Sequence, residues 1–397
     1  MMALVPAVAA AAAAAPWEYH GVVFGAGEWS STDAPLGSSR ADSSLHAAIA
    51  SGASTIRLIP TWYIDGPNST SVYRAKNDTA EGPFATETDA DIGHTIALAR
   101  SLGAKVILGP LLDPNYALPW VTRAGYPGAE CLLWRSGKGP KTAKPANCSS
   151  PSKQKANKGE GRGNIGKFFS EPEWDEWFES YSAMMLSYAR VADRYGAEVL
   201  VMAAEIWAAM IHKPNEARWR ELTRQIRQVF KGKLAVAANA KVIIGWADAI
   251  DILGFDMYNG VREFADDAAP TASVHPPTVE ALTGAWGGYI RWLQNVSATH
   301  QNKPIMATEL GYQSRPRSFV SPAGSARFNP GDCSVSMKCV NTEDQRLAYA
   351  AFYAAFAAAT ATATTTTGGA ASSPWFLGVV WWMWRSDPSA GAFPYNP

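Results

Sequence analysis

Short runs of β-branched and apolar residues alternate with stretches whose apolar positions recur every three to four residues, and this rhythm persists almost from end to end of the chain. Apolar runs bounded by turn residues predict buried strands, and the helical period predicts amphipathic helices covering them. On this pattern strands are expected at residues 21–25, 55–60, 105–110, 198–205, 234–239, 250–258, 304–311 and 377–384. Helices are expected at 43–51, 89–102, 173–195, 215–230, 242–249, 278–300 and 342–359. Eight strands with helical crossovers close most naturally into an α/β fold, the (β/α)8 TIM barrel. The rival is a doubly wound open sheet. No Gly-x-Gly-x-x-Gly follows the first strand, so dinucleotide binding has no support and no cofactor is expected.

Two polar inserts interrupt the rhythm, at about 113–172 and 313–341. Both follow strands, which puts them as long loops on the C-terminal face of the barrel, where such loops build or roof a site. A Thr/Ala/Gly/Ser tract at 361–373 reads as a flexible linker before the last strand. Residues 1–15 form an apolar, Ala-rich start that fits a signal peptide cleaved near Ala15, although it lacks a positively charged n-region. That leaves 16–397 as a single catalytic domain. No other segment reaches the roughly 20 uninterrupted apolar residues of a membrane span, so no membrane partner is expected.

Cys131, Cys148, Cys333 and Cys339 bracket the two inserts in pairs and form no CxxC, which argues for disulfides over zinc or redox chemistry. Local pairing, Cys131 with Cys148 and Cys333 with Cys339, is expected. Asn68, Asn77, Asn147 and Asn295 each begin an Asn-X-Ser/Thr sequon. Together these features point to a secreted or luminal glycoprotein. With 397 residues, 47% hydrophobic and 18% charged, the chain can bury a large core. Its 35 basic and 35 acidic residues cancel, so there is no broad positive field and a nucleic-acid partner is not expected. A monomer is expected. Sixteen Trp exceed what core packing normally requires; flat indoles either hold the apolar faces of sugar rings or fill the interior.

In a parallel barrel the chemically useful positions are strand C-termini. The fourth strand, in EVLVMAAEIW, finishes at Glu205, and the seventh, in KPIMATELGY, finishes near Glu309. A carboxylate ending an apolar strand is costly to desolvate unless it is paired or functional. Either glutamate alone reads as a structural ion-pair partner; two of them, three strands apart around the ring, point into one cleft. Paired carboxylates can hydrolyse glycosides, one protonating the departing oxygen while the other attacks the anomeric carbon or activates water. They could also bind a divalent ion, but no Asp/His cluster has metal-ligand spacing, so no metal is expected. Arg57 in TIRLIPTWY is either a grip that keeps the attacking carboxylate ionised or a barrel-interior salt bridge, and Tyr258 in DILGFDMY either donates to the same carboxylate or is simply buried. Trp62, Trp207, Trp382 and Trp384 lie at or just past strand ends, as does Trp29 beside Glu28, and are candidate stacking platforms. Asn239, Asp113 and Glu28 are candidates for hydroxyl recognition, with loop caps as the plainer role.

The series FGAGEW, LIPTWY, GPLLDPN, the run ending VLVMAAEIW, LAVAAN, DILGFDMY, ATELGY and GVVWWMW resembles glycoside hydrolase family 113, retaining β-mannanases of the large clan of (β/α)8 glycosidases. The resemblance runs through most of residues 19–388 apart from the inserts. It implies that Glu205 is the general acid/base and Glu309 the nucleophile. Many clan members carry Asn just before the acid/base, whereas this chain has Ala204. Substrate preference is therefore less firmly implied than reaction type.

The expected reaction is a double displacement on a β-linked mannan-type polysaccharide or oligosaccharide, with Glu309 ionised by Arg57 and Tyr258 and Glu205 kept protonated by its neighbour's charge and by partial burial. Retention calls for carboxyls about 5 to 5.5 Å apart. Two alternatives stand beside it: a retaining β-glucosidase or β-glucanase, and a glycan-binding barrel without turnover.

Overall fold

The computed structural model describes residues 17–25, 34–75, 85–114, 161–239, 242–258, 278–314, 318–320, 322, 341–365 and 374–386. The start at 1–15, all four cysteines, Asn77, Asn147, Glu28 and Trp29 lie outside the described residues. Asn68 and Asn295 are exposed.

Eight parallel strands close into a barrel: β1 (Tyr19–Gly25), β2 (Thr55–Leu58), β5 (Lys105–Leu108), β7 (Val199–Ala204), β8 (Lys233–Asn239), β9 (Ile252–Asp256), β10 (Ile305–Leu310) and β11 (Phe376–Arg385). Every strand expected from the pattern is present, and β1 pairs with both β2 and β11, so the barrel strands leave no unpaired edge. The apolar side chains divide as a closed sheet requires. Val23, Ile107, Val199, Val201, Ala235, Ile252, Met306 and Val380 fill the interior. Their chain neighbours, among them Phe24, Leu108, Leu200, Leu253 and Val379, pack outward against the helices.

The surrounding helices are α1 (Ser39–Ala50), α2 (Asp89–Ser101), α3 (Glu171–Tyr195), α4 (Trp207–Ile211), α5 (Asn215–Val229), α6 (Val279–Thr299) and α7 (Thr342–Thr365). Helix α3 starts on a capping box, Ser170 and Glu173 satisfying each other's backbone N–H, and stops at Gly196 in the left-handed region. No helix among the described residues is long and apolar enough to cross a membrane.

The structure departs from the pattern in three places. The helix expected at 242–249 is only a short 3-10 turn at Ala247–Ala249. Val242, Ile243, Ile244 and Gly245 are poor helix formers, and Trp246 is fixed by stacking on Trp219, ring centroids 4.8 Å apart, and by donating to Met210 O. The tract read as a linker from 361 is helical as far as Thr365, since the Ala-rich sequence simply propagates α7. Finally, the ladder continues beyond Pro60 and Pro110 in a small second sheet of β3 (Thr61–Ile64), β4 (Val72–Tyr73) and β6 (Leu111–Pro114), ordered β4-β3-β6. The prolines lack an N–H for the barrel ladder, and this outgrowth carries Asp113 above the mouth.

Candidate active site

Glu205 follows β7 directly, in the left-handed backbone region with φ 54°, and its N–H donates to Ala237 O at 2.8 Å. A non-glycine residue there costs on the order of 1–2 kcal/mol, so the surrounding ladder holds it. The pairing of β7 with β8 slips between Val201 and Ala204, three residues facing two, which marks a bulge. A comparable slip separates Ala307 from Glu309 where β10 meets β9. The two bulges free Glu205 and Glu309 from strict alternation at the barrel mouth.

Glu309 is buried and doubly held. Arg57 donates from Nη1 to its Oε1 at 3.0 Å and to Thr308 O at 2.8 Å, while the Tyr258 hydroxyl donates to Oε2 at 3.3 Å. Arg57 is wholly buried, and Gly109 makes room for it: a Cβ there would sit 2.8 Å from Nε. Burial pushes Glu309 up to about 7, with Glu205's charge adding to the shift and Arg57, Arg162 and Tyr258 opposing it. Desolvation of the carboxylate outweighs the opposing pull of these partners.

Glu205 is more open. Its Oε1 accepts from Asn239 Nδ2 at 2.6 Å and its Oε2 lies 3.9 Å from Arg162 Nη1. Arg162 is itself clamped by Asp113, with Nε to Oδ1 at 2.7 Å and Nη2 to Oδ2 at 3.0 Å, a bidentate pairing that fixes the guanidinium plane. Asp113 therefore acts on the site through Arg162. Beside Glu309 in register on β9 lies Asp256, buried, with Oδ1 accepting from the Thr308 hydroxyl at 2.8 Å. Its burial and the charges of Glu309 and Glu205 push Asp256 well above the carboxylate range.

The candidate stacking platforms separate. Trp382 packs on the interior cluster and stays half-exposed at the mouth. Trp207, two residues past Glu205, lies against the backbone of the Arg162 turn, where a Cβ at Gly163 would come within 2.1 Å of its Nε1. Trp62 and Trp384 face the helices instead. Trp62 donates to the Tyr188 hydroxyl on α3 at 2.7 Å with Arg74 over its ring, and Trp384 donates to Ser44 on α1 at 3.0 Å. Much of the Trp excess is core, since Trp174, Trp177, Trp219, Trp246 and Trp286 are fully buried.

Sequence reasoning missed Arg162, Asp256 and Thr308. Asp256 carried the same signal as the two glutamates, an acid closing an apolar strand; Arg162 sits inside a polar insert and carried none. Among the described residues no group of three His, Cys, Asp or Glu stands close enough to hold a metal ion.

What this mouth assembles is a pair of electrostatically coupled glutamates, one gripped and buried, one open, at the C-terminal ends of β7 and β10. The profile of glycoside hydrolase family 113 matches residues 155–391, more than half the chain. The chain belongs to glycoside hydrolase family 113. This family 113 member is a glycoside hydrolase acting on O-glycosyl bonds. Its fold is shared by solved structures. One described as a complex structure of a family 113 β-1,4-mannanase is 19% identical, covers 94% of this chain and 92% of its own, and superposes with a TM-score of 0.60. The family 113 β-mannanase AaManA from Alicyclobacillus acidocaldarius, in complex with ManMIm, is 22% identical, with coverage of 95% and 91% and a TM-score of 0.59. None of the curated proteins compared with the chain matches it.

Proposed function

We propose that this family 113 hydrolase cleaves β-1,4-linked mannan-type chains with retention, Glu309 acting as nucleophile and Glu205 as acid/base. The observation that carries the assignment of roles is the asymmetry of the pair: Arg57 and Tyr258 hold Glu309 rigidly, as an attacking group requires, while Glu205 stands open to a leaving group and to water. The fold neighbours described as β-1,4-mannanases support the choice of sugar.

In the first step Glu309 forms a bond to the anomeric carbon as the glycosidic C–O bond breaks, and the proton on Glu205 passes to the departing oxygen. Tyr258's longer contact leaves Oε2 the freer oxygen for attack, with Oε1 pinned by Arg57. Esterification removes the negative charge of Glu309, so Glu205, now a carboxylate, feels no repulsion from it. In the second step Glu205 takes a proton from water, the oxygen of that water bonds to the anomeric carbon, and Glu309 leaves as carboxylate.

The test uses Glu205→Ala with a dinitrophenyl β-mannobioside and azide, and the parent on mannan, glucomannan and β-glucan. The expected product is the β-glycosyl azide, with mannan the best polymer. An α-azide, undiminished mannan turnover by Glu309→Gln, or a preference for β-glucan would refute the assignment.

A further inference from the structure

Besides two donor atoms, Arg57 Nε and Nη2, two acceptor atoms near the mouth are buried without a hydrogen-bond partner among the described residues: Asn239 Oδ1 and Asp256 Oδ2. They belong to register-paired neighbours on β8 and β9. Paired residues on adjacent strands are about 4.8 Å apart and point to the same face of the sheet. Each orphan is costly if nothing satisfies it, because the group has lost its water without gaining a partner. One proton on Asp256 can satisfy both, because it turns Oδ2 from an acceptor into a donor that a neighbouring amide oxygen can accept.

The other contacts agree with that placement. Thr308 donates to Asp256 Oδ1, so Oδ1 is the acceptor oxygen and Oδ2 the one that carries hydrogen. The groups facing Asp256 are Thr308 and Glu309 from β10, Asn239 from β8, Glu205 after β7 and Arg57 from β2; burial and the two glutamates favour the neutral acid, and Arg57 and Thr308 act against it. Asn239 in turn donates from Nδ2 to Glu205 Oε1 at 2.6 Å.

Resting on the acid/base reading of Glu205, we propose that Asp256 keeps its proton while the enzyme works and donates it from Oδ2 to Asn239 Oδ1, as the positioning residue that decides which oxygen of Glu205 carries the catalytic proton. With the amide locked this way, Nδ2 occupies Oε1, and the proton to be transferred resides on Oε2. A reversed amide would turn Oδ1 toward Glu205 and draw its proton away from substrate. It would also set Nδ2–H against the O–H of Asp256, donor against donor. The neutral carboxyl therefore excludes the unproductive rotamer without touching the sugar.

Asp256→Asn preserves a donor at this position and Asp256→Ala removes it. Both are compared with the parent in kcat/KM on mannohexaose, whose leaving group needs a proton, and on a dinitrophenyl β-mannobioside, whose leaving group does not. Asp256→Ala is expected to lose at least about tenfold on mannohexaose, a fraction of the roughly 10²–10⁴-fold that acid–base assistance supplies, and under about threefold on the aryl substrate. Asp256→Asn is expected to stay within about threefold of the parent on both. Equal losses by Asp256→Ala on the two substrates, or an Asp256→Asn variant as impaired as Asp256→Ala, overturn the proposal. A substrate-free readout runs in parallel: the infrared difference between the parent and Asp256→Asn at neutral pH should contain the carbonyl band of one protonated carboxyl lost from the parent, over and above any from the two glutamates; a difference spectrum without that band also overturns the proposal. Glu205→Ala and Glu309→Gln measured alongside keep the two readings apart, since retained mannohexaose turnover in those variants defeats the assigned pair itself.

Discussion

Arg57→Met isolates the electrostatic argument at its centre. Arg57 is wholly buried and its Nη1 lies 3.0 Å from Glu309 Oε1, so the substitution removes the nearest cation while keeping an unbranched side chain of similar reach. Taking an effective charge separation of about 4 Å and an effective dielectric of about 20, the pair is worth about 4 kcal/mol, which corresponds to about 3 pKa units. Glu309, already pushed up to about 7 by burial, would titrate near 10 without it. At pH 7 the ionised fraction then falls from about one half to about one in a thousand, and kcat/KM should fall by about two to three orders of magnitude.

The pH profile distinguishes this from simple damage. A dinitrophenyl β-mannobioside needs no acid assistance, so its kcat/KM follows ionisation of Glu309 alone. The parent should rise through about pH 7 and level off. The variant should climb about tenfold per pH unit from 7 to 9, narrowing its deficit to about tenfold. Because the orphaned Glu309 takes up a proton at neutral pH, no unpaired charge is left buried and the barrel should stay folded. Arg57→Lys, which retains a cation, should shift the limb less. A deficit of constant size across the pH range, or a limb unmoved from the parent's, would refute the reasoning.

Glu309→Gln should flatten part of the stability profile. A folded value of about 7 above the ordinary carboxylate value means the folded state binds more protons, so this group's contribution falls as pH rises from about 4.5 to 7, by about 3 kcal/mol in total. Urea unfolding should therefore favour the variant over the parent increasingly across that window, and parallel curves would contradict the burial argument. The two indoles that part company at the mouth give a third comparison. Trp62→Ala should lower stability by about 2–4 kcal/mol through lost packing and the lost Tyr188 bond, with KM for mannohexaose within about twofold. Trp382→Ala should raise that KM by about tenfold or more for the loss of a stacking face, so a KM effect at Trp62 and none at Trp382 would reverse the assignment of the two.

How far the sequence reveals such a site depends on what each residue's position encodes. A glutamate closing an apolar run is visible because an unpaired carboxylate there is costly, and Glu205 and Glu309 both stand where that signal puts them. Residues that matter through a distant partner are not visible: Asp113 and Arg162 form one clamp across the length of an insert, and no local pattern links them. The facing of side chains is hidden for a different reason. Strict alternation puts Trp382 and Trp384 on the same side of β11, yet one joins the interior cluster and the other the helix layer. The cause is the pairing with β1, where Val22 meets Trp381 and Phe24 meets Trp384, so β11 holds one residue more than its neighbour at the mouth. Bulges of this kind also end β7 and interrupt β10, beside the two glutamates. A bulge is a property of two ladders rather than of one strand, so periodicity read along a single segment identifies what reaches the mouth of the barrel while the neighbouring strands decide which side chains turn inward.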